Sequence, residues 1–233
     1  MKYENIVKGK FILRENRFVA QVDIGGSVEK THVKNTGRCR ELLIPGADVY
    51  LEDHDGRMNA RKYRYSLITV SKAGNLINMD SQAPNKAAGE ALAAGIVRLP
   101  GMGELTEIRP ETVYGDSRFD FYLSDKDGRQ GFLEIKGVTL EDDGIAKFPD
   151  APTERGIKHL NGLCTAAAEG FSAGVLFVIQ MKGVREFRPN DETHAAFGEA
   201  LRHAAGAGVS VLAFDCRVTP DTMTIEDPVS VNL

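Results

Sequence analysis

The rhythm of the chain changes near Asp80, and that change constrains the fold more than any single motif. Before it, short β-prone runs follow one another closely, at residues 10–13, 17–24, 30–33, 47–52, 64–70 and 76–79. Turn signals separate them at Gly25-Gly26, Asn35-Thr36-Gly37, Pro45-Gly46, Asp55-Gly56 and Gly74-Asn75. Strands this short and this evenly spaced leave raw edges unless the sheet curls round on itself. A small closed or nearly closed β-barrel is therefore predicted.

After Asp80 helical and strand-like patterns alternate. Ser81 reads as an N-cap and Pro84 as a first-turn residue of a helix running to Leu99, stopped by Pro100-Gly101. The domain boundary is placed here, dividing the chain into 1–80 and 81–233. Strands are expected at 107–114, 118–123 and 131–138, the last two joined by 124–130 with an Asp127-Gly128 turn signal. Thr153 then caps a helix to Glu169, stopped at Gly170. A buried strand at 175–180, a helix at 191–205 and a last strand at 209–215 complete the set. This order predicts an α/β sandwich around a mixed sheet.

The net charge of −4 speaks against a polyanionic partner until it is divided along the chain. Residues 1–80 hold 14 Lys+Arg against 10 Asp+Glu, a net of +4; residues 81–233 hold 15 against 23, a net of −8. A basic first part suits phosphate, and an acidic remainder gathers carboxylates. The three cysteines, Cys39, Cys164 and Cys216, are odd in number and lack CxxC spacing, so neither a disulfide framework nor a zinc cluster is expected. With no apolar leader and no run long enough to span a bilayer, the expectation is a cytoplasmic protein with no membrane contact.

Within the second part, charged residues interrupt two otherwise core-like segments, Arg118-Phe119-Asp120-Phe121-Tyr122 and Phe132-Leu133-Glu134-Ile135-Lys136. Alternation puts Glu134 and Lys136 on one face, Leu133 and Ile135 on the other, and sets Asp120 opposite to Phe119 and Phe121. Buried without partners such charges are costly. Two carboxylates from adjacent strands hold a hard divalent cation such as Mg²⁺ or Mn²⁺, which polarises a phosphate, while the nearby ammonium orients water or neutralises developing charge. Glu111 is the chosen third carboxylate, and the carbonyl of Ile135 a further ligand. For Asp120 and Glu134 to face one another their numbers must sum to an even value, and 120 + 134 = 254 does. A two-residue turn at Asp127-Gly128 gives 255, so an odd-length loop or a bulge is required.

Phosphate-binding candidates fall in two places. In the first part, Lys30, His32, Lys34, Arg38 and Arg40 form one cluster, and Arg57 with Arg61-Lys62-Tyr63-Arg64-Tyr65 interleaves cations with rings. Cations neutralise phosphates and rings stack on bases. A strand through Arg61, Tyr63 and Tyr65 would put all three on one face. In the second part Lys158 and His159 stand in the first turns of a helix, where an anion is favoured.

Ordered matches over nearly the whole chain carry a resemblance. They include Arg17-Phe18, His32-Val33 through Asn35-Thr36-Gly37-Arg38, Glu41-Leu42 with Pro45-Gly46, and Ser117-Arg118-Phe119-Asp120-Phe121. They continue through Glu134-Ile135-Lys136-Gly137-Val138-Thr139-Leu140, Phe148-Pro149-Asp150-Ala151, Thr153-Glu154-Arg155-Gly156 and Lys158-His159-Leu160. On these residues the chain resembles the bacterial and archaeal sugar fermentation stimulation protein A family. The resemblance implies an N-terminal OB-like barrel and a C-terminal domain of the PD-(D/E)xK restriction-endonuclease-like class. It also implies largely sequence-non-specific DNA binding, to which Arg17 is assigned as well, and a regulatory role in sugar, notably maltose, metabolism. A catalytically inert DNA-binding regulator is the alternative to a nuclease. Relatives usually carry Glu two residues after the Lys-His-Leu segment, where this chain has Gly162. The sequence identifies no protein partner and leaves a homodimer open.

Overall fold

The computed structural model describes residues 1–35, 37–58 and 61–233. Thr36, in the middle of the expected Asn35-Thr36-Gly37 turn, lies outside them. The first part is built from β1 (Ile6–Asn16), β2 (Val19–Ile24), β3 (Ser27–Val33), β4 (Asp48–Asp53), β5 (Tyr65–Lys72) and β6 (Asn75–Asn78). They form one sheet in the order β3-β2-β1-β4-β5-β6, and a parallel pairing of β3 with β5, Thr31↔Tyr65 through Val33↔Leu67, closes it into a barrel. Long β1 serves two neighbours, β4 through Ile6–Lys10 and β2 through Lys10–Asn16. Register shifts between Phe11 and Leu13 and between Arg14 and Asn16 bend it round the barrel. Gly9 sits at the close approach, since a Cβ there would come within 2.5 Å of Val22 and 2.8 Å of the Asp23 carbonyl.

The second part begins with α1 (Ala83–Ala93). Ser81 is not its cap. Its hydroxyl donates to the Lys34 carbonyl at 2.6 Å, and the cap position falls to Gln82, whose N–H reaches Asp80 Oδ1 at 2.9 Å. The helix also stops short of the expected Leu99, because Gly95 takes a left-handed φ of 68° just past its end.

Then come β7 (Leu105–Tyr114), β8 (Ser117–Asp125), β9 (Gln130–Val138), β10 (Glu141–Asp142), β11 (Ile145–Phe148), α2 (Glu154–Ala168) and β12 (Ser172–Ile179). β13 (Glu186–Pro189), α3 (Asp191–Gly206, kinked at His194), β14 (Ser210–Val218), β15 (Met223–Pro228) and β16 (Ser230–Val231) finish the chain. β14 is therefore not the last strand. The strands that sequence patterning missed are short or lie at an edge and carry Pro or charge, as in Glu186–Pro189 and Met223–Pro228.

The main sheet has the order β15-β14-β12-β9-β8-β7, with β12 parallel to both β9 and β14 and the outer pairs antiparallel. It is a sandwich. Alternate residues of β12 serve its two faces: Leu176 and Val178 pack with Ala87, Ala91 and Leu92 of α1, while Val175, Phe177 and Ile179 pack with Leu160 and Leu163 of α2 and Phe197 and Leu201 of α3. The second cluster runs on into the barrel core through Met79, Leu67 and Val22.

The two parts are also tied by buried polar contacts. Gln180 Nε2 donates to the carbonyls of Asn78 and Asp80, and the Asn78 N–H donates to the Gln180 carbonyl at 3.0 Å. The first residues cross over: Lys2 bridges to Thr222, and the Met1 ammonium meets Glu90 at 2.6 Å. No helix among the described residues is long and apolar enough to cross a membrane.

Candidate functional site: a carboxylate pair at the open end of a hairpin

The β8–β9 hairpin has the register that alternation demands. Every pair from Phe121↔Leu133 to Ser124↔Gln130 sums to 254, and an odd number of residues, five, separates Ser124 from Gln130. Beyond Phe121↔Leu133 the ladder stops. There the Ile135 N–H donates not to a strand carbonyl but to Asp120 Oδ2, at 2.7 Å, while Asn85 Nδ2 of α1 donates to Oδ1 at 2.7 Å. Asp120 thus wedges the strands apart, and side-chain alternation breaks around it. Phe121 joins the α1 face, but Phe119 turns to the α2 face, with its ring 5.3 Å from Phe132 and 6.3 Å from His159. The expectation that Phe119 and Phe121 share a face is corrected on this point.

Glu134 faces α2 and is 97 % buried. Its Oε1 is crowded: Lys136 Nζ lies 2.6 Å away, and His159 Nδ1 contacts the same oxygen. Arg155 Nε reaches His159 Nε2 at 3.4 Å, which leaves Nδ1 as the proton-bearing nitrogen toward Glu134. Its Oε2, also buried, has no hydrogen-bond partner. A buried acceptor left unpaired costs about 1–3 kcal/mol, more when it carries charge.

The electrostatics of the pair are split. Burial, then the charge of Glu134, raises the Asp120 carboxyl above its ordinary range against the pull of the Ile135 N–H. Burial would raise Glu134 too, but the His159 hydrogen bond and the Lys136 charge hold it below its usual value. This is a pair of carboxylates with local positive charge on one side only.

Other expected site residues are placed differently. Glu111, which takes a left-handed φ of 51°, is exposed and pairs with Arg118 at 3.5 Å, so it does not complete the set. Among the described residues, no group of three or more His, Cys, Asp or Glu is disposed to hold a metal ion. His159, assigned to DNA, is buried against Glu134 instead, whereas Lys158 beside it is exposed. The signal was in the sequence: Gly156, His159, Leu160 and Leu163 lie on the buried stripe of α2, at helical spacing. Gly162 continues that tight contact, since a Cβ there would come within 2.7 Å of Ser117 Oγ and 3.1 Å of the Phe119 ring.

On the barrel, Arg61, Lys62, Tyr63 and Arg64 lie ahead of β5 rather than in a strand, so they share no strand face with Tyr65. The Arg61 N–H donates to the Met58 carbonyl at 2.7 Å. Arg64 grips Asp53 through two bonds of 2.8 and 2.7 Å, Arg57 pairs with Glu4, and Lys34 with Asp80. Arg17 and Arg38 are exposed, as is Arg40.

An OB barrel fused to a mixed-sheet sandwich whose central hairpin presents Asp, Glu and Lys at D…ExK spacing defines the class: an OB domain joined to a restriction-endonuclease-like domain. The chain belongs to the sugar fermentation stimulation protein family. Residues 12–79 match the SfsA N-terminal OB domain, and residues 82–222 match the sugar fermentation stimulation protein RE domain. A sugar fermentation stimulation protein homolog of Clostridium beijerinckii is 52% identical over 233 residues, covering 100% of both chains. One from Desulfitobacterium hafniense is 53% identical, covering 100% of this chain and 99% of that one. Among solved structures, that of Pyrococcus furiosus SfsA in complex with Ca²⁺ superposes with a TM-score of 0.87 at 27% identity, covering 100% of this chain and 98% of that one.

Proposed function

We propose that this chain is a DNA-binding protein, largely indifferent to sequence, whose second domain hydrolyses phosphodiesters with a divalent cation, Mg²⁺ or Mn²⁺. The observation that carries the reading is Glu134 Oε2, a buried carboxylate oxygen without a partner beside the raised Asp120 carboxyl. A buried glutamate with an open oxygen beside a second, half-buried carboxylate fits a hard cation, and the relative solved with Ca²⁺ supports the same reading. Asp120, Glu134 and the Ile135 carbonyl would hold the ion. A divalent cation in such a site supplies Lewis-acid polarisation of a phosphate and lowers the pKa of water.

The remaining work falls to side chains already in place. His159, oriented by Arg155, fixes the Glu134 carboxylate so that Oε2 rather than Oε1 is presented. Asn85 and the Ile135 N–H fix Asp120 in the same way. Lys136 brings its ammonium to the pair and, near a phosphate, neutralises developing negative charge. Lys158, on the exposed side of α2, supplies attraction to the backbone of DNA. A role in sugar metabolism would then act through DNA occupancy or DNA cleavage.

The test is a nicking assay on supercoiled and single-stranded DNA with Mg²⁺, Mn²⁺ or chelator, run beside anisotropy binding. Metal-dependent cleavage by the wild type, lost in Glu134→Ala with binding in chelator retained, is the expected result. Binding with no cleavage under any metal would identify an inert binder that keeps only the nuclease fold.

A further inference from the structure

The exposed arginines of the barrel differ in whether a carboxylate pairs with them. Arg57 and Arg64 are neutralised by Glu4, Asp53 and Asp55. Arg17, Arg38 and Arg40 are exposed and, like Arg61, none of them has a carboxylate within ion-pair distance among the described residues. These three rim a groove of about 490 Å³ whose apolar lining includes Leu13, Leu43 and Pro45. Leu13 is 43% exposed there; outside the lining itself, Ile44, between Leu43 and Pro45 in sequence, is 54% exposed and Phe18, next to Arg17, is 53% exposed.

One side chain builds this arrangement. The guanidinium of Arg14 donates to the carbonyls of Asn16 and Arg17 in the β1–β2 turn and to those of Asn35, Gly37 and Arg38 in the loop after β3. It therefore locks together the two backbones that carry Arg17 and Arg38. Arg17, Gly37 and Arg38 also line a second cleft, of about 600 Å³, whose far wall is Phe148 to Thr153 of the other domain, leading to the N-terminus of α2. The two clefts share these three residues and so form one path.

We propose that this path binds single-stranded nucleic acid, with bases against the apolar lining and Phe18, phosphates on Arg17, Arg38 and Arg40, and the strand continuing over the Arg17/Arg38 saddle toward α2. An apolar lining is of use only to a strand whose bases are unpaired, because a duplex presents sugar and phosphate there. The proposal deepens the DNA-binding reading by naming the strand form and moving the contact surface away from Arg61 and Arg64. Arg14 is a positioning residue for that surface.

The experiment measures anisotropy of labelled oligo-dT and of a duplex of equal length, in chelator, at four or more salt concentrations. For Arg17→Ala/Arg38→Ala, oligo-dT affinity should fall about tenfold or more and the salt slope by about 1.4, from two lost single-strand phosphate contacts. Leu13→Asp should weaken oligo-dT and leave the duplex within twofold. Arg61→Ala/Arg64→Ala should change oligo-dT affinity by less than threefold. Arg14→Lys, which keeps the charge, should lower both affinity and salt slope, and add little when combined with Arg17→Ala/Arg38→Ala; additive losses would reduce Arg14 to a stabilising role and overturn that part. Wild-type-like oligo-dT binding by Arg17→Ala/Arg38→Ala, or equal losses for oligo-dT and duplex, overturns the path while DNA binding itself stands. A wild type that binds neither probe defeats the DNA-binding reading as well.

Discussion

The two ends of the β8–β9 hairpin bury acidic residues in opposite ways. At the turn end, Asp125 is enclosed and accepts N–H bonds from Gly103, Asp127 and Arg129 at 2.7–3.0 Å, with the Arg129 side chain 3.6 Å away. The Gly103 N–H, ahead of the others, holds its carboxyl below the ordinary range. At the open end, Asp120 has one backbone donor and one amide and is raised, and Glu134 keeps an oxygen with no partner at all. Burial alone does not set how a carboxylate is satisfied. What differs between the two ends is whether the chain itself has filled the acceptor sites.

That contrast is open to attack at either end. The largest effect is expected from Glu134→Gln, which removes a charge at the open end while keeping the shape: metal-dependent cleavage should fall by about 100-fold or more in a plasmid-nicking assay. An undiminished rate would show that the open oxygen has no chemical role.

Asp125→Ala tests the closed end. Three backbone donors lose their acceptor, so the melting temperature should drop by roughly 5 °C or more, with no change in the response to metal. The pH dependence has a definite sign. Because the folded carboxyl lies below its unfolded value of about 3.9, its stabilisation is complete above that pH and is lost as pH falls through the folded value. Wild-type and Asp125→Asn melting curves should therefore converge in acid; a constant gap down to the lowest pH would contradict this.

Mg²⁺ or Mn²⁺ should raise the wild-type melting temperature by about 5 °C at a hundredfold excess over Kd, and Asp120→Ala should lose most of that rise. Equal shifts in both proteins would place the ion elsewhere. The smallest effect is expected from Asn85→Ala, which removes one neutral donor to Asp120. A few-fold loss in metal affinity, read by the same thermal titration, would sharpen the picture of α1 as a support for the open end.

Much of this architecture was legible along the chain. The parity of 120 + 134 matches the ladder from Phe121↔Leu133 to Ser124↔Gln130, although that ladder stops one pair short of Asp120 and Glu134; Thr153 caps α2 through Gly156 as its position promised, and the barrel follows from closely spaced strands between turn signals. Helix α1 was less legible because propensity favours the Ala run to Leu99 while one left-handed glycine decides its end. Short β13 and edge strand β15 carry too few alternating residues to stand out.

The sequence by itself determined most of the longer elements, most of their hydrophobic faces and the D…ExK spacing, because each of these depends on residues a few positions apart. Only the tertiary structure decided which charge meets which. Asn85 reaches Asp120 across 35 residues and His159 reaches Glu134 across 25, which took His159 off the exposed face of α2 and into the carboxylate site. Arg64 was claimed by Asp53, while Arg17 and Arg38 were left facing solvent. Charge pairing is set by distance in space, and a linear pattern carries no information on that distance until the layers have packed.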